Sequence, residues 1–198
     1  MNLKSLLAAP LLLALGVAPA LSGPDFTGPA DRPTKYAASW STRPIQPSDD
    51  IVFMHDSAGL LDSGIKQVDR IAAYLKEHPK QKVIVAGHAN SLGSARHNEE
   101  LATRRAEIVR EHLIGHGISS DRIVVLVYGK NEAVKRPSPT DRRVVVFATT
   151  EAPATVARRE LRNRKVISAT YTRGDVLITE TAKTGHTGAT ITEQVAGR

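Results

Sequence analysis

The chain has 198 residues, 41% of them hydrophobic, which suits one domain with tails and a core of useful size. It has no cysteine, which excludes disulfides, thiolate metal sites, a cysteine nucleophile and a lipid-modified N-terminal Cys. The formal net charge of +7 points to anionic surroundings, while 4% aromatic residues are thin for stacking nucleic-acid bases.

The chain starts MNLKSLLAAPLLLALGVAPALSG. Lys4 supplies a positive leader, Leu6 to Val17 an apolar stretch, and Ala18-Pro19-Ala20 or Ala20-Leu21-Ser22 a small-residue cleavage site, so residues 1–22 read as a secretory signal peptide. The apolar stretch is too short for a comfortable membrane span. Leu21-Ser22-Gly23 resembles the start of a lipobox, but Pro24 follows where a Cys is needed. The mature chain is therefore expected to be exported, without a lipid anchor or a transmembrane segment after cleavage. Residues 23–49 contain Pro24, Pro29, Pro33, Pro44 and Pro47 without apolar periodicity and read as a linker.

Residues 50–149 alternate strand and helix signals. Ile51 to Met54 is a short strand, followed by Asp56 and Ser57 in a loop. Asp62-Ser63 opens a helix with Ile65, Val68, Ile71, Ala72 and Leu75 as its buried stripe, and Pro79 stops it. A strand over 82–86 then leads into a polar loop with Gly87 and Gly93. The second helix is predicted from about Asn98 to Gly115, with Leu101, Ala102, Ala106, Ile108, Val109, Leu113 and Ile114 facing the core and Gly117 as its stop. Asn98 stands where a side chain can cap the helix or brace the loop. Asp121 to Tyr128 is a buried strand, and Arg142 to Phe147 closes the sheet. Alternation puts Arg142 and Arg143 on opposite faces, one of them toward the central loop.

Residues 150–198 form an extension. Arg158, Arg159, Arg162, Arg164 and Lys165 make a basic cluster with few acids beside it, suited to adhesion to anionic envelope polymer. Thr172-Arg173-Gly174-Asp175 between two short β runs reads as a hairpin turn, and the final Thr, Gly and Ala-rich run as a frayed tail.

The run GHANSLGSARHNEELATRRAEIVREHLIGHGI resembles the core motif of the OmpA-like peptidoglycan-binding domain family. Gly87, His88, Gly93, Asn98, Leu101, Arg104, Arg105, Ala106, Val109, Leu113, Gly117 and Ile118 match in register. Val52 to Ser57, Tyr128-Gly129 and Asp141 to Val144 extend the similarity over about residues 50–149, half the chain. The resemblance implies an α/β (α+β) two-layer sandwich of βαβαβ-β order, with a mixed sheet of about four strands and two main helices on one face. It implies non-covalent binding of peptidoglycan, at the diaminopimelate end of the stem peptide, in the periplasm or at the outer membrane of a Gram-negative cell envelope. The site residues it implies are Asp56, Asn90, Asn98 and Arg105, with Arg142 or Arg143.

Asn90 stands where the family has an Asp, and Ala89 replaces the preceding Thr. A carboxylate facing a ligand ammonium makes a charge-assisted hydrogen bond, roughly twice as strong as a neutral one. Asn keeps the shape but removes the charge and adds an NH₂ that opposes an ammonium, a loss on the order of 2–4 kcal/mol. This favours a second reading, a structural or protein-interaction module with a weakened ligand site, whose partners would be other envelope proteins or anionic polymer. Neither reading is an enzyme. There is no Ser-His-Asp ordering, no phosphate-cradling glycine loop and no carboxylate pair in the central loop. No cofactor is expected, nucleic acid is disfavoured by the export signal, and His88 with His97 alone makes a weak zinc signal.

Overall fold

The computed structural model describes residues 43–44, 50–134, 136, 138–162, 165–182 and 190–195. The signal-peptide reading of 1–22 and nearly all of the linker reading of 23–49 fall outside them. The elements are β1 (Arg43–Pro44), β2 (Ile51–Val52), α1 (Asp62–Glu77), β3 (Lys82–His88), α2 (Ala95–Gly115), β4 (Ile123–Gly129), β5 (Arg143–Thr149), α3 (Pro153–Leu161), β6 (Ser168–Arg173), β7 (Val176–Thr181) and β8 (Thr190–Val195).

The strands join one sheet in the order β1-β5-β3-β4-β6-β7-β8, with β2 also paired to β5. Only the β3–β4 pair is parallel among the described strands, and the connection between them runs through α2. This is a mixed α/β architecture in which α1 and α2 cover one face, as the order of apolar patterns predicts. Val83, Val85, Val125, Val127 and Val144 point to that face and pack on Val68, Ile71, Leu75, Ala102, Ala106 and Val109.

The other face is not open. Ile84, Ala86, Val124, Leu126, Tyr128 and Phe147 form a second core with Val156 and Ala157 of α3 and with Tyr171 and Ile178. The extension therefore continues the sheet and supplies its second layer. The hairpin at Gly174-Asp175 is present between β6 and β7, Arg173 pairing with Val176. The expectation of a frayed tail is corrected at 190–195, where β8 pairs with β7. The basic cluster is also less bare than its sequence looks. Arg159 bonds to the carboxylates of Glu151 and Glu160, and Lys165 Nζ lies 3.2 Å from Glu132. Arg164 lies outside the described residues.

Two helix readings also shift. Ile65 is 38% exposed and does not belong to the buried stripe of α1, which Gly64 and Gln67 help to form instead. Helix α2 starts at Ala95, three residues before Asn98, because Ser94 Oγ accepts the N–H of His97 and caps it. Its C-terminus closes with Gly117 N–H on Ile114 O and Ile118 N–H on Leu113 O. A distant arginine closes α1 in the same sense. Arg122 donates to the carbonyls of Leu75, His78 and Gln81, which satisfies groups left over at the helix end.

Candidate functional site

The end of β3, the loop after it and the start of α2 lie close together because residue 87 has no side chain. A Cβ built on Gly87 would sit 2.4 Å from the carbonyl oxygen of Ala102 and 3.1 Å from Cβ of Ala106. The strand runs two residues further than its apolar pattern, through His88. The loop then turns on Asn90, whose Oδ1 accepts the N–H of Leu92 at 3.1 Å, and on Gly93 at φ 82°. Asn98 braces it from α2, its Nδ2 donating to Leu92 O at 2.5 Å and Ser94 O at 3.0 Å.

A cavity of about 130 Å³ opens beside this loop, and Asp56, Asn90, Asn98, Arg105 and Arg142 all line it. The structure thus brings together five of the six residues singled out in the sequence. It does not bring Arg143, which turns to the other face of the sheet and pairs with Asp50 at 3.1 Å while donating to Thr140 O at 2.7 Å. The alternation of β5 thus decides the choice between the two arginines.

Arg105 is the most constrained member. Its side chain is wholly buried, and its hydrogen bonds among the described residues go to backbone carbonyls rather than to a carboxylate. Nε donates to Ser57 O at 2.9 Å, Nη1 to His88 O at 3.2 Å and Nη2 to Met54 O at 3.0 Å, with the guanidinium carbon 5.3 Å from the Phe53 ring centre. Burial pulls its pKa down to about 10, the Arg142 cation adds to the fall, and Asp56 opposes it. It therefore stays cationic and ties the 54–57 loop to the end of β3. Arg142 Nε reaches the same segment through Phe53 O at 3.3 Å.

His97 also belongs to the site, although its sequence signal is only that of a weak metal ligand. It lines the cavity, and its Nε2 lies 2.8 Å from Asp56 Oδ1. The signal available was its place in the first turn of α2, next to Asn98 and facing the loop. His55, Leu92, Gly93 and Leu101 complete the lining.

His88 sits apart from His97, on the opposite face of the sheet. Its ring stacks on Tyr128 with centroids 4.8 Å apart. Burial, with the Arg143 charge adding to it, pushes His88 down to about 3, so it is neutral at physiological pH. The depressed value makes the neutral form a folded-state preference, present in full above the unfolded value of 6.5 and lost as pH falls toward about 3. Between pH 6 and 5 His88 is expected to contribute a fall of about 1.4 kcal/mol in unfolding free energy per pH unit. Urea unfolding of the wild type and His88→Phe at several pH values checks this. Equal slopes would remove His88 as the cause.

Residues 52–146 match the family model described as the OmpA family. This segment is an OmpA-family domain. Its curated relatives include the peptidoglycan-associated lipoprotein of Legionella pneumophila, 39% identical over 79 residues, which is 40% of this chain and 45% of that one. Outer membrane porin F of Pseudomonas fluorescens is 31% identical over 108 residues, 53% of this chain and 33% of that protein. The matched region thus spans less than half the length of either relative. Among solved structures, the peptidoglycan-associated lipoprotein from Burkholderia pseudomallei aligns with a TM-score of 0.49 and 23% identity, covering 52% of this chain and 92% of that one. The cavity lies within the OmpA domain, between the chain before α1 and the β3–α2 loop. No described helix is long and apolar enough to cross a membrane.

Proposed function

We propose that the OmpA domain of this chain holds peptidoglycan non-covalently in the periplasm, after export directed by residues 1–22. The convergence of Asp56, Asn90, Asn98, Arg105 and Arg142 on one cavity carries this reading. The cavity has cations and a carboxylate within one small space, which suits the zwitterionic end of a diaminopimelate stem peptide. A guanidinium has five N–H donors, and the three carbonyls on Arg105 take one from each nitrogen. That leaves one N–H on each terminal nitrogen for a ligand carboxylate, in a cavity that Arg142 also lines. Asn90 and Asn98 shape the wall. The domain works by charge and hydrogen-bond complementarity, with no chemistry on the ligand.

The second reading, a structural or protein-interaction module with a weakened site, is favoured by the cavity itself. Its volume of about 130 Å³ is below the roughly 300–1,000 Å³ of ordinary ligand pockets, and residue 90 brings no charge. Co-sedimentation of the full chain with purified sacculi at about 0.15 M salt separates the two. Under the first reading the wild type pellets with sacculi, and Asn90→Asp binds about tenfold more tightly because a carboxylate again faces the ammonium. Failure of both proteins to bind would leave the second.

A further inference from the structure

The carboxylate at the mouth of the cavity already has an occupant. Asp56 Oδ1 and His97 Nε2 are 2.8 Å apart, with side chains 57% and 44% exposed. Burial does not force them together; their backbones do. Asp56 sits in the left-handed region at φ 51°, and the N–H of His97 is fixed by the Ser94 cap of α2. Among the described residues, Asp56 is the only acidic one lining the cavity, since position 90 is an amide whose oxygen is engaged with Leu92.

We propose that Asp56 receives the ammonium of the ligand in place of residue 90, and that His97 is a resident competitor which the ammonium must displace. This rests on the peptidoglycan reading above and names the specificity residues within it. An imidazolium holds a carboxylate by a charge-assisted bond and a neutral imidazole by a weaker one, and histidine changes charge between roughly pH 5 and 8. Acid therefore strengthens the competitor. The other charged or titratable groups around His97 are His55 beside Asp56, Arg96 and Glu100 on α2 (bonded to each other at 3.0 Å), Arg105 and Arg142 behind the cavity, and Lys130, which donates to Gly93 O. Arg105 and Arg142 repel an incoming ammonium, so Asp56 must be released for it to settle.

The direction of the pH effect is diagnostic. The chain has seven histidines, and protonating those other than the buried His88 adds positive charge, which tightens adhesion of the whole surface to an anionic polymer at low pH. Displacement of His97 predicts the reverse.

The test compares the full-length wild type, His97→Ala and Asp56→Asn with purified diaminopimelate-type sacculi at about 0.15 M salt, near pH 8 and near pH 5.5. Asn tolerates the left-handed backbone at position 56, so this variant keeps the loop. Wild-type binding should weaken about tenfold from the higher to the lower pH. His97→Ala should abolish that dependence and bind at least as tightly as the wild type at the higher pH. Asp56→Asn should bind about tenfold more weakly there, and N-acetylated sacculi, whose ammonium is masked, should bind the wild type equally weakly. Binding by His97→Ala where the wild type shows none would also support the proposal. Binding indifferent to His97, Asp56 and acetylation would overturn it and leave the peptidoglycan reading standing, as would binding that tightens in acid for all three proteins. No binding by any of the three would overturn both.

Discussion

Arg105→Ala is expected to lower the unfolding free energy by about 3–6 kcal/mol, before any ligand is considered. The guanidinium is fully buried, and its three nitrogens each satisfy a carbonyl, of Ser57, His88 and Met54. Two of these lie in the loop after β2 and one at the end of β3, so a single side chain joins segments 48 and 51 residues upstream in the sequence to α2. A hydrogen bond to a charged group contributes about 1.5–3 kcal/mol, and each buried carbonyl left without a donor costs about 1–3 kcal/mol. The loss of contact with the Phe53 ring adds to the fall. Against a total stability of about 5–15 kcal/mol for a domain, the variant sits near the edge of folding. Arg105→Lys should recover part of the loss, because an ammonium has three donors but not the planar fork that spans three carbonyls. Urea midpoints measured at constant m-value decide the matter. If Arg105→Ala unfolds within about 0.5 kcal/mol of the wild type and yet loses sacculus binding, the guanidinium acts on the ligand and its bonds to the loop are incidental.

Arg105 also marks the limit of what the sequence discloses. Its place on α2 follows from helical spacing, since residues 98, 101, 102, 105, 106 and 109 fall on one buried face. A charged residue in that stripe is the visible clue that something polar is enclosed. The carbonyls it meets come from backbone far away in sequence, and no side-chain pattern encodes them. Arg142 and Arg143 divide as the two-residue period of a strand requires, and pairing of β5 with β2 and β3 fixes which of them faces the cavity. The second core was legible in part. The runs Val83 to Ala86 and Ile123 to Tyr128 are apolar without alternation, which is the pattern of strands covered on both faces. Two helices on one face leave half of those side chains uncovered, and α3 with β6 and β7 is what covers them. The contact of Asp56 with His97 spans the chain reversal through α1 and β3, so neither residue's local sequence announces the other.

Replacing Gly87 by alanine tests the close approach on which the site depends. The added methyl would meet Ala102 O at 2.4 Å, well inside contact distance, and the obstructing atom is helix backbone that no rotamer change can move. Either α2 shifts away from β3 or the strand end buckles, and the surrounding core of Val85, Val127, Ala102 and Ala106 is already filled. Overpacking of this kind costs about 1–3 kcal/mol where side chains can adjust, and a backbone obstacle places Gly87→Ala at about 3 kcal/mol or more. The consequence for function is separable from the loss of stability. Helix α2 carries His97, Asn98 and Arg105, while β3 leads to Asn90, so a shift of one against the other distorts the cavity even in molecules that remain folded. Misplacement of the paired groups by about 1 Å is enough to spoil bidentate and charge-assisted contacts. Gly59→Ala serves as the comparison, because its Cβ would meet only Ser57 Oγ, at an ordinary 3.5 Å. That variant should unfold within about 0.5 kcal/mol of the wild type and keep sacculus binding. Gly87→Ala should lose both, with binding lost even at temperatures where circular dichroism shows a native spectrum. A Gly87→Ala protein with wild-type stability would mean that α2 and β3 are not in the contact that positions the site.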